Sequence, residues 1–162
     1  MYTKQFEIRW SDLDANRHLA NSAYINFMSH TRMAYLIDHG FGQKEMSKYN
    51  IGPVIFFEHV YYFREALQGD PITVSFQVGG ISDDRTLFKF VHNFYDINGK
   101  NLAHSEMLGC WMDLKERKMA SFPEELNHIL ENAPKTSDYK TLTKEDTREF
   151  GKRPVDMVNE TT

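Results

Sequence analysis

Residues 22–39 read Ser-Ala-Tyr-Ile-Asn-Phe-Met-Ser-His-Thr-Arg-Met-Ala-Tyr-Leu-Ile-Asp-His, and the architecture hangs on what kind of helix they make. Tyr24, Phe27, Met28, Thr31 and Tyr35 form one stripe at helical spacing, and Met33 to Ile37 is apolar on nearly every side. A helix apolar on several faces is wrapped by other structure rather than laid on a surface. Asn21 or Ser22 can cap its start, and Gly40 suits the position just past its end.

Outward from this helix the period changes. Before it, Phe6, Ile8 and Trp10 alternate with polar Gln5, Glu7 and Arg9, which predicts a strand with one buried face. After it, an amphipathic piece (about 43–49) leads into runs rich in β-formers at 54–63, 72–78, 87–97 and 102–114. Between the later runs stand Gln68-Gly69-Asp70-Pro71, then Gly79-Gly80 with Ser82-Asp83-Asp84, then Asn98-Gly99, a strong hairpin signal. Pro123 suits the start of a last short helix through about residue 131. Consecutive hairpin strands make an antiparallel sheet, and one helix covers one face of it. The expected class is α+β, an antiparallel β-sheet wrapped around one long central helix. Such a sheet leaves an edge strand open, so pairing of two copies is expected. From Pro134 on the apolar periodicity disappears, and residues 135–162 carry six basic and six acidic side chains. The division expected is a domain over 1–133 and an irregular, partly docked tail over 134–162.

Composition bounds the function. The 162 residues, 41% apolar and 26% charged, fit one globular domain long enough to bury a core without disulfides or metal. A net charge of -4 argues against a general nucleic-acid binder, which shows a basic face. Single Cys110 cannot make an intrachain disulfide, and no basic-then-apolar leader precedes the first strand pattern. No stretch approaches the ~18 consecutive apolar residues of a membrane span, so a soluble protein of a reducing cytoplasm is expected. The seven histidines show no pair at metal-ligand spacing, and Gly40-Phe41-Gly42 lacks the third glycine of a phosphate loop. There is no Gly-x-Ser-x-Gly elbow. No metal or cofactor is expected.

What remains is Ser11-Asp12-Leu13-Asp14-Ala15-Asn16-Arg17-His18-Leu19-Ala20-Asn21, a dense polar stretch between a strand and the start of the long helix. Two readings stay open. Ser, Asp and Asn serve as caps and Asx-turns at any such junction. Alternatively, a carboxylate here acts as base or nucleophile, an amide or imidazole orients it, and free N–H groups at the helix start hold an oxyanion. Glu58 and His59 stand in an otherwise apolar strand, so one of them faces inward or a partner. Arg9, Arg17 and Arg64 are candidate phosphate contacts, with plain solvent exposure as the alternative.

Followed by Tyr24-Ile25, the polar stretch resembles the signature of hot-dog-fold thioesterases. It is similar both to the hydroxybenzoyl-CoA thioesterase group and to the acyl-carrier-protein thioesterases of plants. The shared form is Ser-Asp-x-Asp-x-Asn-x-His, then an Asn-bearing turn and the Tyr of the helix; the element order matches over about residues 3–131. The resemblance implies a hot-dog fold and hydrolysis of an acyl-CoA or acyl-carrier-protein thioester without a cofactor. It implies Asp14 as the catalytic carboxylate, Asn16 and His18 as the amide and imidazole beside it, and Glu65 as a second acid or base. It places Asn21 where a backbone N–H polarises the thioester carbonyl. Any acyl tunnel would run along the helix past Tyr24, Phe27 and Met28, residues whose spacing also fits plain core. Ala20 stands where the family often has a second Asn. The chain has room for one hot-dog unit, so a homodimer or a dimer of dimers would supply the other half. The rival functions are a hot-dog enoyl-CoA hydratase or dehydratase, and a non-catalytic acyl-CoA binding module.

Overall fold

The computed structural model describes residues 1–157; the remainder of the expected tail lies outside the described residues. Its central element, α1, spans Asn21–Asp38. Ala20, extended at φ −62 and ψ 145, occupies the N-cap, so Asn21 is the first helical residue rather than the cap. Alanine carries no side-chain acceptor; the Ser22 N–H turns to Asn21 Oδ1 and the Ala23 N–H to the Ala20 carbonyl, which leaves the Asn21 N–H without a partner among the described residues. At the other end Gly40 takes φ +92, a left-handed conformation that glycine adopts without strain. The chain reverses there: Phe41 N–H bonds to the Leu36 carbonyl at 2.8 Å, and the Phe41 ring is buried. A short α2, Gln43–Tyr49, follows.

Strands β1 (Tyr2–Phe6), β2 (Ile51–Tyr62), β3 (Ile72–Ser82), β4 (Leu87–Tyr95) and β5 (Asn101–Asp113) form an antiparallel sheet in the order β1-β3-β4-β5-β2. A two-residue β6, Lys118–Met119, pairs with β5, and a last helix, α3, covers Asn127–Glu131. Helix α1 packs on one face of the sheet. Tyr35 stacks on Phe76 with ring centres 4.6 Å apart, Tyr24 meets Phe94 and Tyr62 edge-on at 5.0 and 5.1 Å, and Phe27 stacks on Phe6. Each such buried side chain contributes about 1.5–3 kcal/mol. Phe41, Phe88, Trp111 and Phe122 close the far end of the same core. This is the expected α+β class and the hot-dog arrangement, a curled antiparallel sheet with one long helix packed into it. Among the described residues no helix is long and apolar enough to cross a membrane.

Three local expectations change. The first strand stops at Phe6, and Trp10, expected on its buried face, is 81% exposed. The Asp12 carboxylate is the reason. It accepts the Arg9 N–H at 2.9 Å and the Arg9 guanidinium at 3.1 and 3.0 Å, which winds Trp10–Asp12 into a 3₁₀ turn and carries the indole outward. Second, Asn98 and Gly99 sit inside a three-residue loop held by Asp96, with Gly99 at φ +76, rather than at the centre of a two-residue hairpin. Third, the stretch expected to begin an irregular tail forms β7, Lys135–Leu142, parallel to β3. Strand β1 covers β3 only from Ile72 to Phe76; β7 takes the same edge from Val78 on, where the Val78 N–H bonds to the Pro134 carbonyl at 2.7 Å. The gain is backbone pairing on an edge that would otherwise stay open, so β7 needs no apolar alternation.

Candidate active site

The loop before α1 is built around one carboxylate. Asp14 N–H bonds to the His18 carbonyl at 2.9 Å and Arg17 N–H to the Asp14 carbonyl at 3.0 Å, with Arg17 in the left-handed region at φ +62. Asp14 Oδ1 accepts the N–H groups of Asn16 and His18 at 2.8 and 3.2 Å. The loop from Asp96 to Lys100 repeats this scheme: Asp96 Oδ1 accepts the N–H groups of Asn98 and Lys100 at 2.8 and 2.9 Å, and Gly99 takes the place of Arg17. One oxygen of Asp14 thus does the work of an ordinary Asx-turn. Its Oδ2 has no partner among the described residues.

The end of β2 comes back against this loop. Leu19 N–H bonds to the Ala66 carbonyl at 2.8 Å, and His18 pairs with Leu67 as an isolated bridge. That pairing brings His18 Nε2 to 2.7 Å from Glu65 Oε2. A cavity of about 390 Å³ opens beside the pair, lined by Asp14, His18, Asn21, Tyr24, Tyr62 and Glu65 among others. Asn21 turns its Oδ1 onto the Ser22 N–H at 3.0 Å, and its own N–H points out of the helix start without a partner among the described residues. Tyr24 forms the wall; burial, with Tyr62 beside it, pushes its phenol up to about 12. Neutral Tyr24 is therefore a hydrogen-bond donor at ordinary pH. The site is open on one side, with the side chains of His18 and Glu65 40% and 57% exposed.

Of the residues singled out in the sequence, the fold gathers Asp14, His18, Asn21, Tyr24 and Glu65 around this cavity. Asn16 is exposed in the turn and enters only through its N–H. Phe27 and Met28 lie in the core and do not line the cavity. Asp12 is structural, its carboxyl held below the usual carboxylate range by hydrogen bonds from Arg9, which is thereby engaged as well. Tyr62 was not distinguishable among the β-formers of its run; its place at the last position of β2 puts it in the cavity wall. A larger cavity of about 1080 Å³ lies elsewhere, between Phe57, His59 and the segment around Phe150. It gathers basic and aromatic side chains beside Asp83 and Asp84, of which Asp84 is held by the Ser82 hydroxyl and the Thr86 N–H.

Comparison with known proteins follows the same lines. The model of the family described as the thioesterase-like superfamily matches residues 8–130. A search of curated protein sequences finds no significant match. Among solved structures, a Staphylococcus aureus protein in complex with CoA is 20% identical with a TM-score of 0.74, over 84% of this chain and 87% of its own. YbaW, a probable thioesterase from Escherichia coli, is 23% identical with a TM-score of 0.70, over 83% and 100% of the two chains. A 1,4-dihydroxy-2-naphthoyl-CoA thioesterase from Synechocystis is 14% identical with a TM-score of 0.71, over 80% and 94%.

Proposed function

The chain belongs to the thioesterase-like superfamily, and on that footing we propose that it hydrolyses an acyl thioester, of CoA or of an acyl-carrier protein, at the cavity between the Asp14 loop and the end of β2. The observation that carries this reading is the 2.7 Å contact of His18 with Glu65 beside Asp14 and the uncapped start of α1. In the proposed reaction Asp14 Oδ2 takes a proton from water, whose oxygen adds to the thioester carbonyl carbon; or Oδ2 attacks that carbon directly, and a water then cleaves the acyl–Asp14 anhydride to restore the carboxylate. The developing oxyanion sits at the Asn21 N–H, where the helix dipole and a free donor favour it. The C–S bond then breaks, and a proton carried by the His18–Glu65 pair goes to the departing thiolate, the pair being recharged by the proton that the attacking water gives up. The products are the free acid and the free thiol. No step calls on a cofactor.

A second copy of the chain is part of the proposal. Strand β2 is an outer strand of the sheet, and its Ile55, Phe56, Tyr61 and Tyr62, with Phe63 beyond them, are 40–58% exposed. A homodimer, or a dimer of dimers, that pairs along this edge covers these side chains and narrows the open site. The single, buried Cys110, its thiol pushed up by burial, suits a reducing cytoplasm.

The test is thiol release from short, medium, long-chain and aromatic acyl-CoAs by wild type and Asp14→Asn. Loss of about 10²–10⁴ in rate in the variant is expected. Undiminished turnover would remove Asp14 from the mechanism. One observation favours a different reading, a non-catalytic acyl-CoA binding module: the Asp96 loop makes the same turn as the Asp14 loop. That reading predicts ligand binding by wild type with no thiol released from any CoA or carrier-protein thioester.

A further inference from the structure

Beneath α1, four side chains hold buried polar atoms without a hydrogen-bond partner among the described residues: Arg32 Nη1, Glu58 Oε1, His92 Nε2 and Ser105 Oγ. They come from four elements and converge on one place. The β4–β5 register sets His92 opposite Ser105, and the β5–β2 register sets Ser105 opposite Val60, two residues from Glu58. All three strand residues therefore point to the same, helix-facing side. Arg32 reaches down from α1; its Nη2 lies 3.4 Å from Glu58 Oε1, close but not aligned as a hydrogen bond, and 2.8 Å from Ser29 Oγ. Its charge opposes protonation of His92, which burial holds at a pKa of about 3. His92 and Ser105 are fully buried, and the Arg32 and Glu58 side chains are only 10% and 16% exposed. Buried polar groups are nearly always hydrogen-bonded, so this convergence of donors and acceptors around the Arg32–Glu58 ion pair marks a place suited to a polar group.

The donor and acceptor pattern selects the occupant. His92 Nδ1 lies 2.8 Å from the Ser75 carbonyl, an acceptor only, so the proton of this neutral ring is on Nδ1 and Nε2 presents a lone pair. Glu58 Oε1 is a second acceptor, Arg32 Nη1 a donor, and Ser105 Oγ either. A carboxylate has no proton for the acceptors and opposes Glu58; an ammonium group opposes Arg32; a methyl end satisfies nothing. A hydroxyl gives one proton and accepts two.

The place selects the chain length. From Tyr24 at the cavity to Arg32 is eight residues of α1, about 12 Å along the helix. From Tyr62 to Glu58 is four residues of β2, about 13 Å along the strand. Half-buried Ile25 and Ser29 on α1 and Val60 on β2 lie along the way. An extended acyl chain of about eight to ten carbons spans that distance, whereas the ring oxygen of a hydroxybenzoyl group lies only about 6 Å from its carbonyl carbon. We propose that the Arg32–Glu58–His92–Ser105 cluster recognises a hydroxyl group near the far end of the acyl chain, and that the preferred substrate is a hydroxylated medium-chain acyl thioester. This inference rests on the thioesterase reading above.

The test compares decanoyl-CoA with 10-hydroxydecanoyl-CoA in wild type, Ser105→Ala and Glu58→Gln, with circular dichroism to check folding. In wild type, kcat/KM is at least about tenfold higher for the hydroxylated substrate, because a site built for a hydroxyl rejects the analogue that lacks it. That ratio falls about threefold to tenfold in the variants. Equal kcat/KM for the two substrates in wild type, or a ratio that both variants leave unchanged, overturns the cluster's role while leaving hydrolysis intact. If Glu58→Gln does not fold, Ser105→Ala, which removes a single oxygen, decides. If no acyl-CoA yields thiol, hydrolysis itself fails, and the cluster is tested by melting wild type with free 10-hydroxydecanoate or decanoate. Stabilisation by the hydroxy acid alone then supports the site, and equal effects or none overturn it.

Discussion

Asp14 and Asp12 stand two residues apart and show how one residue type is put to different uses. Asp12 is buried and its oxygens are consumed by Arg9, whereas Asp14 spends Oδ1 on its own turn and its Oδ2 has no partner among the described residues. An asparagine at 14 can still accept both turn bonds through its carbonyl oxygen. Asp14→Asn is therefore expected to melt within about 0.5 kcal/mol of wild type while losing turnover, and Asp14→Ala to give up about 1 kcal/mol more. Paired melting and thiol-release measurements separate the two effects. Asp12→Ala is expected to cost about 1–3 kcal/mol, read by urea denaturation, because it releases a backbone N–H and the guanidinium together. The sign of its pH dependence follows from the lowered folded value. Its contribution is complete above the carboxyl's unfolded pKa and lost as pH falls through the folded one. A gap between wild type and Asp12→Ala that grew toward acid would contradict this.

At the level of elements, α1 and α2 were legible to within a residue, because apolar spacing and a left-handed Gly40 are local properties of the chain. Strand β7 was not. Its residues are mostly polar because it lies on an edge with much of both faces in water, and what holds it is backbone pairing to β3. The bulge in β2 was also invisible. Between Ile55 and Phe57 the register to β5 shifts, and Gly109 sits opposite. A Cβ added at Gly109 would strike the Val54 carbonyl oxygen and lie 2.8 Å from the Phe88 ring. Gly109→Ala is accordingly expected to destabilise by about 1–3 kcal/mol through overpacking. An unchanged urea midpoint would mean that the strands can part at this point.

For the whole molecule, the open β2 edge and the exposed His18–Glu65 pair lead to one expectation: sedimentation as a dimer or larger, with specific activity falling on dilution as copies separate. A fully active monomer would show that the edge is not where the site is completed. The core also carries a pH signature. His92 stays neutral in the fold down to about 3, while an unfolded histidine takes up its proton near 6.5. Between those values the unfolded chain binds more protons, so stability falls as pH drops, by up to about 1.4 kcal/mol per unit. Denaturation of wild type and His92→Gln from pH 4 to 7 checks this; parallel curves would contradict it.

The division between what the chain announces and what folding adds follows the range of the interactions. Turn residues, helix ends and the period of the apolar side chains are read over a few neighbours. The linear order therefore sufficed for the α+β class, the central helix and the polar loop at 11–21. Which distant side chains meet is set by register, and register depends on strand order and on a bulge that no local pattern reveals. Only the assembled sheet brings Glu65 to His18, through the Leu19–Ala66 hydrogen bond. The same assembly draws Arg32, Glu58, His92 and Ser105 from four separate elements into one buried group. Each looks ordinary in its own segment, because the desolvation that makes the group costly exists only once helix and sheet have closed over it.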